Sequence, residues 1–129
     1  MIRQNKEAVK VLLVDDEPNI LLALDFLVKQ LGYQVFTATN GDEALEAMQK
    51  HQPDVAVLDV MMPRMNGFDV AKKIRANEDF DHTKIIFLTA LGTKADRFEG
   101  YGSGAEIYVT KPFNNEDLVN TIKELVEYG

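Results

Sequence analysis

The chain has 129 residues, 46% of them hydrophobic and 27% charged, which is typical of one compact domain. Its net charge of −7, with no cluster of lysines and arginines, argues against direct contact with nucleic acid. Cysteine is absent, which excludes disulfides, thiolate metal sites and a thiol nucleophile. Only four apolar residues occur in a row near the start, too few for a signal peptide or a membrane span. We therefore expect a cytoplasmic protein that does not bind membranes.

Strand-like and helix-like segments alternate along the chain. The strand-like segments are short β-branched, aliphatic or aromatic runs at 9–14, 33–38, 55–58, 85–89 and 107–109. The helix-like segments run from Pro18 to Gly32, from Gly41 towards Pro53, from Gly67 onwards, from Thr93 to Phe98, and from Asn114 or Asn115 to the end. Five such pairs in strict alternation predict an α/β fold with a parallel sheet, helices on both faces and right-handed crossovers.

Apolar residues at helical spacing predict the buried helix faces. They are Ile20, Leu24, Leu27, Val28 and Leu31 in the first helix, Ala44, Leu45 and Met48 in the second, Phe68, Ala71 and Ile74 in the third, and Leu118, Ile122 and Leu125 in the fifth. The fourth helix is short and weakly amphipathic, and Gly100, Gly102 and Gly104 are expected to end it. The polar segment 77–83 is expected to be a loop.

Charged and hydroxyl side chains follow the predicted strands. Asp15 and Asp16 come after the first strand, Asp59 after the third, Thr89 after the fourth and Lys111 after the fifth. The carboxyl ends of parallel strands share one edge of a sheet, where ligands bind. Three carboxylates there need a cation, and Mg²⁺ prefers oxygen ligands, so Asp16 and Asp59 are the expected direct ligands.

This constellation is suited to phosphoryl transfer. A carboxylate beside a divalent ion can attack phosphorus, which makes Asp59 the expected nucleophile. Lys111 is expected to place a positive charge near the transferring oxygens, and Thr89 to supply a hydroxyl donor.

Four separated motifs, which hold five matching positions, resemble the receiver domain of two-component response regulators. They are V-L-L-V-D-D-E-P from Val11, L-D-V-M-M-P-R-M-N-G from Leu58, L-T-A from Leu88 and Y-V-T-K-P-F from Tyr108, which together hold the acid pair, the central aspartate, the threonine, the aromatic residue and the lysine. The resemblance covers essentially the whole chain. It implies a single domain over 1–129 with a doubly wound, flavodoxin-like fold: five strands in the order 2-1-3-4-5, flanked by five helices.

The resemblance also implies the role of each residue. Asp59 would accept a phosphoryl group from a histidine kinase or histidine phosphotransfer protein. Mg²⁺ (or Mn²⁺) would be bound directly by Asp16, Asp59 and the carbonyl of Met61, and through water by Asp15. Thr89 and Tyr108 would be the switch residues, Lys111 would contact the phosphoryl group, and Lys111-Pro112 would be cis.

The resemblance further implies that phosphorylation alters the face formed by the fourth helix, fifth strand and fifth helix. That face would bind a downstream effector or a second copy of the chain. Met61 and Leu91 lie two residues beyond Asp59 and Thr89, where the family tunes phosphoryl lifetime. Both are apolar and unable to orient water, so we expect slow self-dephosphorylation. The sequence ends shortly after the last helix, so we expect no output domain within it.

Other interpretations remain open at this stage. Asp15 and Asp16 suit a helix cap as well as a metal site, and Tyr108 suits a half-buried edge position. The chain could be a receiver-like interaction domain that is not phosphorylated. A metal-dependent phosphatase would need an acid or base where Met61 lies, and a flavodoxin-like electron carrier would need a hydroxyl-rich loop where the acid pair lies. We expect that the chain is not an enzyme and that it catalyses only its own phosphorylation and dephosphorylation.

Overall fold

The computed structural model describes residues 9–128, and its centre is one sheet of five parallel strands. The strands are β1 (Lys10–Val14), β2 (Gln34–Ala38), β3 (Val55–Leu58), β4 (Lys84–Thr89) and β5 (Ile107–Thr110). Their order across the sheet is β2-β1-β3-β4-β5. The predicted α/β fold and its strand order are confirmed.

Five helices cover the two faces of the sheet. They are α1 (Pro18–Lys29), α2 (Gly41–His51), α3 (Gly67–Arg75), α4 (Lys94–Gly102) and α5 (Asn115–Tyr128). Residues of α1 and α5 form one apolar core with the side chains on one face of the sheet, and residues of α2 and α3 form a second core on the other face. Because both faces are covered, the central strands are apolar throughout, as the VAVL sequence of β3 shows.

The register of the sheet brings the ends of β1 and β3 to the same level, and the ends of β4 and β5 to a level two residues further on. Val14 pairs with Leu58, and the next residue, Asp59, donates its N–H to the carbonyl of Val14 at 2.9 Å. Similarly, Thr89 pairs with Thr110, and Lys111 donates its N–H to the carbonyl of Thr89 at 2.8 Å. Asp15 and Asp59 are therefore neighbours at the carboxyl edge, and Lys111 follows β5 two residues further along the register.

The fourth helix is longer than the sequence pattern predicts. Thr93 is its N-cap and forms a reciprocal capping box with Asp96, but the helix continues past Phe98 to Gly102. The prediction that Gly100 ends the helix is wrong because Gly100 lies within it, whereas Gly102 is its last residue, and neither glycine has a left-handed backbone. Gly104 does, with φ of 105°, and it lies in the turn beyond the helix.

Three other predictions needed correction. The inner face of α1 includes Leu21, which is buried, whereas Leu31 lies beyond the last residue of the helix and is only partly buried. The segment 77–83 contains a 3₁₀ turn at Glu78–Phe80 and ends at the fully buried Thr83, whose hydroxyl donates to the carbonyl of Pro53 at 2.7 Å. Tyr33 precedes β2 and is buried.

Within residues 9–128, no helix has the length and apolarity needed to cross a membrane.

Candidate functional site at the carboxyl edge

Two aspartates are buried side by side at the carboxyl edge of the sheet. Asp59, directly after β3, is 4% exposed, and Asp15, directly after β1, is 2% exposed. The Asp59 Oδ1 atom accepts a long hydrogen bond from the backbone N–H of Met61 at 3.4 Å, and Asp15 Oδ1 accepts one from the N–H of Glu17 at 2.9 Å. The second oxygen of each carboxylate faces Lys111.

Lys111 places one ammonium group between these two carboxylates. Its Nζ atom lies 2.9 Å from Asp15 Oδ2 and 3.9 Å from Asp59 Oδ2, and its side chain is 16% exposed. The Lys111-Pro112 peptide bond is cis, as expected from the sequence. Lys111 is therefore not an ordinary surface lysine. One positive charge faces two buried negative ones, which leaves this part of the site net negative.

The pKa of Asp59 is raised above its ordinary value. Burial is the largest cause, because it penalises the charged carboxylate, and the neighbouring charge of Asp15 acts in the same direction. The ammonium of Lys111, the N–H of Met61 and the hydroxyl of Thr89 lower the pKa, but they do not outweigh the first two causes. A bound cation would favour the ionised form, so the charge of the site suits a divalent ion.

A group of three carboxylates could hold a metal ion. Oxygen atoms of Asp15, Asp16 and Glu17 lie within 4.8 Å of one another, with Asp15 buried and the other two exposed. An all-oxygen set that is open to solvent fits Mg²⁺, which keeps several waters when it binds protein. Asp59 does not belong to this group. The third carboxylate of the group is Glu17, the residue after Asp16, which the sequence analysis did not name as a ligand although the D-D-E run offered it.

The acid pair does not cap α1 in the usual way. The N-cap is Glu17, and its side chain makes no capping hydrogen bond. Asp15 binds the N–H of Glu17 itself, which stiffens the loop after β1 rather than the first turn of the helix.

Thr89 and Tyr108 both contact the backbone of Leu91. Thr89 is fully buried, and its Oγ1 atom accepts a hydrogen bond from the N–H of Leu91 at 3.3 Å. The Tyr108 hydroxyl donates to the carbonyl of Leu91. Burial, followed by the charge of Asp96, raises the pKa of Tyr108. Tyr108 lies on the edge strand β5, but it is only 5% exposed, so the half-buried environment considered above is wrong.

Gly67 packs against the backbone of the loop that carries Asp59, a contact that the sequence analysis did not predict. It is the first residue of α3, after the capping residue Asn66, and its N–H donates to the carbonyl of Val60 at 3.0 Å. A Cβ atom on Gly67 would lie 2.3 Å from the carbonyl oxygen of Asp59. The signal was the Asn-Gly pair before the helix, but only the tertiary structure shows that the glycine touches the loop carrying Asp59.

Residues 11–123 match the family model described as the response regulator receiver domain. A probable transcriptional regulator ycf27 from Guillardia theta is 44% identical over 117 residues, which are 91% of this chain and 45% of that protein. The chain thus spans about half the length of the curated relatives it matches.

Solved structures agree with the sequence comparison. The chemotaxis protein CheY4 from Vibrio cholerae is 38% identical, with a TM-score of 0.85 over 91% of this chain and 98% of that one. A receiver domain described as BeF3-activated DrrB is 34% identical, with a TM-score of 0.84 over 92% of this chain and 97% of that one.

Proposed function

This chain belongs to the response regulator receiver family, and on that premise we propose that residues 1–129 form one receiver domain in which Asp59 accepts a phosphoryl group. The donor is a histidine kinase or a histidine phosphotransfer protein. The observation that carries the proposal is the position of Lys111, whose ammonium lies 3.9 Å from the buried carboxylate of Asp59 and 2.9 Å from that of Asp15. A lysine held in this way neutralises charge on the oxygens of a phosphoryl group attached to Asp59.

The reaction needs little covalent chemistry from the protein. A carboxylate oxygen of Asp59 attacks phosphorus, the bond between phosphorus and the donor's imidazole nitrogen breaks, and the electron pair leaves with that nitrogen. The product is an acyl phosphate on Asp59. Catalysis depends on positioning and charge neutralisation, which Lys111 and the Thr89 hydroxyl supply. Beyond this reaction and the hydrolysis of the acyl phosphate, in which water attacks phosphorus and releases phosphate and the Asp59 carboxylate, the domain turns over no substrate.

The carboxylates at the end of β1 support a requirement for Mg²⁺ or Mn²⁺. Asp15, Asp16 and Glu17 offer oxygen atoms in one group. From the family resemblance we assign direct binding to Asp16, Asp59 and the Met61 carbonyl, with Asp15 acting through water. A divalent ion bound there would offset the negative charge that accumulates when a phosphoryl group approaches three acids.

The output of the switch is the surface formed by α4, β5 and α5. Thr89 and Tyr108 both hydrogen-bond to the backbone of Leu91, so movement of the Thr89 hydroxyl towards a phosphoryl group is transmitted to the segment between β4 and α4. Helix α4 exposes Phe98 and Tyr101, which supports binding of an effector or a second copy of the chain at this surface. Direct binding to nucleic acid or membrane is not part of the proposal, and the protein acts in the cytoplasm.

The decisive test uses Mg²⁺ with beryllium fluoride, which mimics a phosphoryl group on aspartate. A ligand that binds only the folded site raises stability by mass action, by about 2.7 kcal/mol at a hundredfold excess over its Kd. We expect the melting temperature of the wild type to rise when Mg²⁺ and beryllium fluoride are present together. Asp59→Asn should show no fluoride-dependent rise, whereas Asp42→Asn, on the exposed start of α2, should respond as the wild type does. A full response in Asp59→Asn would reject it as the acceptor.

The surroundings of the acceptor support a long-lived phosphoryl group. Met61 and Leu91 line one shallow pocket together with Val60, Met62 and Asn66. Neither Met61 nor Leu91 carries a base that could orient water for attack on phosphorus. We expect the phosphorylated protein to lose phosphate slowly and Met61→Glu to lose it faster. A half-life of seconds in the purified wild type would contradict this expectation.

A further inference from the structure

Helix α4 contacts the rest of the domain in an unusual way, because its one buried residue is a glycine. Gly100 is buried, whereas Phe98 is 83% exposed and Tyr101 is 49% exposed. Helices α2 and α3 instead bury large side chains such as Met48 and Ile74. The close contact between α4 and the sheet is therefore made by the helix backbone at Gly100.

The group beneath Gly100 is the ring of Tyr108. A Cβ atom added to Gly100 would lie 2.5 Å from Cδ2 and 2.7 Å from Cε2 of that ring, and 3.3 Å from Cδ2 of Phe87. The first two distances are far below van der Waals contact, so the inward ring and a side chain at position 100 exclude each other. The ring fits under α4 because residue 100 has no side chain.

Backbone conformation does not explain the glycine. Gly100 has no left-handed φ and lies within a regular helix, where alanine is the more stable residue. Gly102 in the same helix is a useful contrast, because a Cβ atom added there meets nothing within 4 Å. What distinguishes position 100 from position 102 is the tyrosine ring.

Arg97, one helical turn before Gly100, contacts the same ring and its strand. Its guanidinium carbon lies 5.2 Å from the centre of the Tyr108 ring, a distance that suits a cation–π interaction. Its Nη1 atom donates to the carbonyl of Tyr108 at 3.4 Å, and its Nη2 atom donates to Oγ1 of Thr110 at 3.5 Å. Residues on one face of α4 thus enclose the ring and bind the strand that carries it.

We propose that Gly100, assisted by Arg97, is a positioning residue of the switch. Because Gly100 has no side chain, the Tyr108 ring can lie inward, and it does so only while α4 lies close to β5. The position of the ring is therefore coupled to the position of the helix. This inference rests on the proposed function, since it takes Tyr108 as the switch residue. It adds the element through which the ring acts. When the ring leaves the space beneath Gly100, α4 loses its closest contact with the sheet, and the surface bearing Phe98 and Tyr101 changes with it.

The first experiment measures ring position directly and needs no phosphate analogue. In protein with ¹³C-labelled tyrosine, Tyr108→Phe assigns the Tyr108 ring resonances. We expect nuclear Overhauser contacts between the rings of Tyr108 and Phe87 in the wild type and in Gly102→Ala. In Gly100→Ala those contacts should disappear, and the Tyr108 resonances should move towards those of an exposed tyrosine. Persistence of the contacts in Gly100→Ala would overturn the inference.

The second experiment measures coupling to the site. If Gly100→Ala reduces the inward population to about one tenth, the affinity for Mg²⁺ with beryllium fluoride should fall about tenfold, while Gly102→Ala should leave it unchanged. In a Tyr108→Ala background, Gly100→Ala should have no further effect. An equal loss in that background would show that the glycine acts independently of the ring and would overturn the inference.

The outcomes separate the two proposals. A wild type without any fluoride response would refute the proposed function, and the ring measurements would still decide whether Gly100 positions Tyr108. If Gly100→Ala does not fold, the double variant Gly100→Ala, Tyr108→Ala answers the same question. We expect the double variant to fold, because removal of the ring removes the clash. A double variant that does not fold, although Tyr108→Ala does, would count against the inference.

Discussion

Substitution of Gly67 by alanine should destabilise the domain and displace the acceptor. The added methyl group would lie 2.3 Å from the carbonyl oxygen of Asp59 and 2.9 Å from Cα of Val60. Unstrained non-bonded contacts are about 3.5 Å, so the backbone must move by roughly 1 Å. Both groups it meets belong to the main chain, and the main chain of Asp59 is tied to β1 by the hydrogen bond to Val14. No side-chain rotation can relieve the clash.

The size of the effect follows from two opposing contributions. Overpacking that shifts the backbone costs about 1 to 3 kcal/mol, and this site belongs at the upper end of that range. Alanine recovers about 0.4 to 1 kcal/mol because it restricts the unfolded chain more than glycine does. We therefore expect the free energy of unfolding to fall by about 2 kcal/mol. This corresponds to a melting temperature about 8 °C lower, at roughly 4 °C per kcal/mol for a domain of this size.

Urea denaturation followed by far-ultraviolet circular dichroism measures this loss directly. Gly102→Ala is the matched control, because its methyl group meets nothing within 4 Å and alanine favours the helix, so its midpoint should stay or rise. Gly67→Ala should also bind Mg²⁺ with beryllium fluoride more weakly, since the acceptor moves with its backbone. A Gly67→Ala midpoint equal to or above that of the wild type would refute this account of the loop.

Two further predictions concern electrostatics and packing. The raised pKa of Asp59 means that the folded state holds this proton more tightly than the unfolded state, so the contribution of Asp59 to stability falls as pH rises from its ordinary value of 3.8 through the raised pKa. Asp59→Asn without metal should therefore melt higher than the wild type at neutral pH, and this advantage should vanish near pH 3.8; an advantage that grows on acidification would contradict the sign. The Glu106 carboxylate accepts hydrogen bonds from the N–H of Ile85 and from Arg75 Nη2, the latter at 2.9 Å to one oxygen and 3.1 Å to the other. Glu106→Ala should therefore lower the free energy of unfolding, measured by urea denaturation, by about 1 to 3 kcal/mol. A loss below about 0.5 kcal/mol would show that water replaces the carboxylate.

Arg75 and Glu106 illustrate a contact that the sequence pattern did not reveal. They are 31 residues apart, and the sequence analysis assigned neither of them a role. In the structure Arg75 also donates from Nε to the carbonyl of Gly104, so the end of α3 is joined to the start of β5. Nothing in the local periodicity of either segment specifies this pairing, because it depends on the crossover that brings the two elements together.

The sequence by itself determined the order of strands and helices and the sheet edge at which Asp15, Asp59, Thr89 and Lys111 lie. It did so because apolar periodicity and strand ends are local properties, and parallel strands bring their ends to one edge. Only the tertiary structure decided that Lys111 faces Asp15 more closely than Asp59, and that α4 continues through Gly100. Those outcomes depend on distances between atoms far apart in the chain. Gly100 of α4 lies where the ring of Tyr108 from β5 fills the space that a side chain would need. The spacing of apolar residues within the helix does not reveal this ring, because the ring belongs to another element.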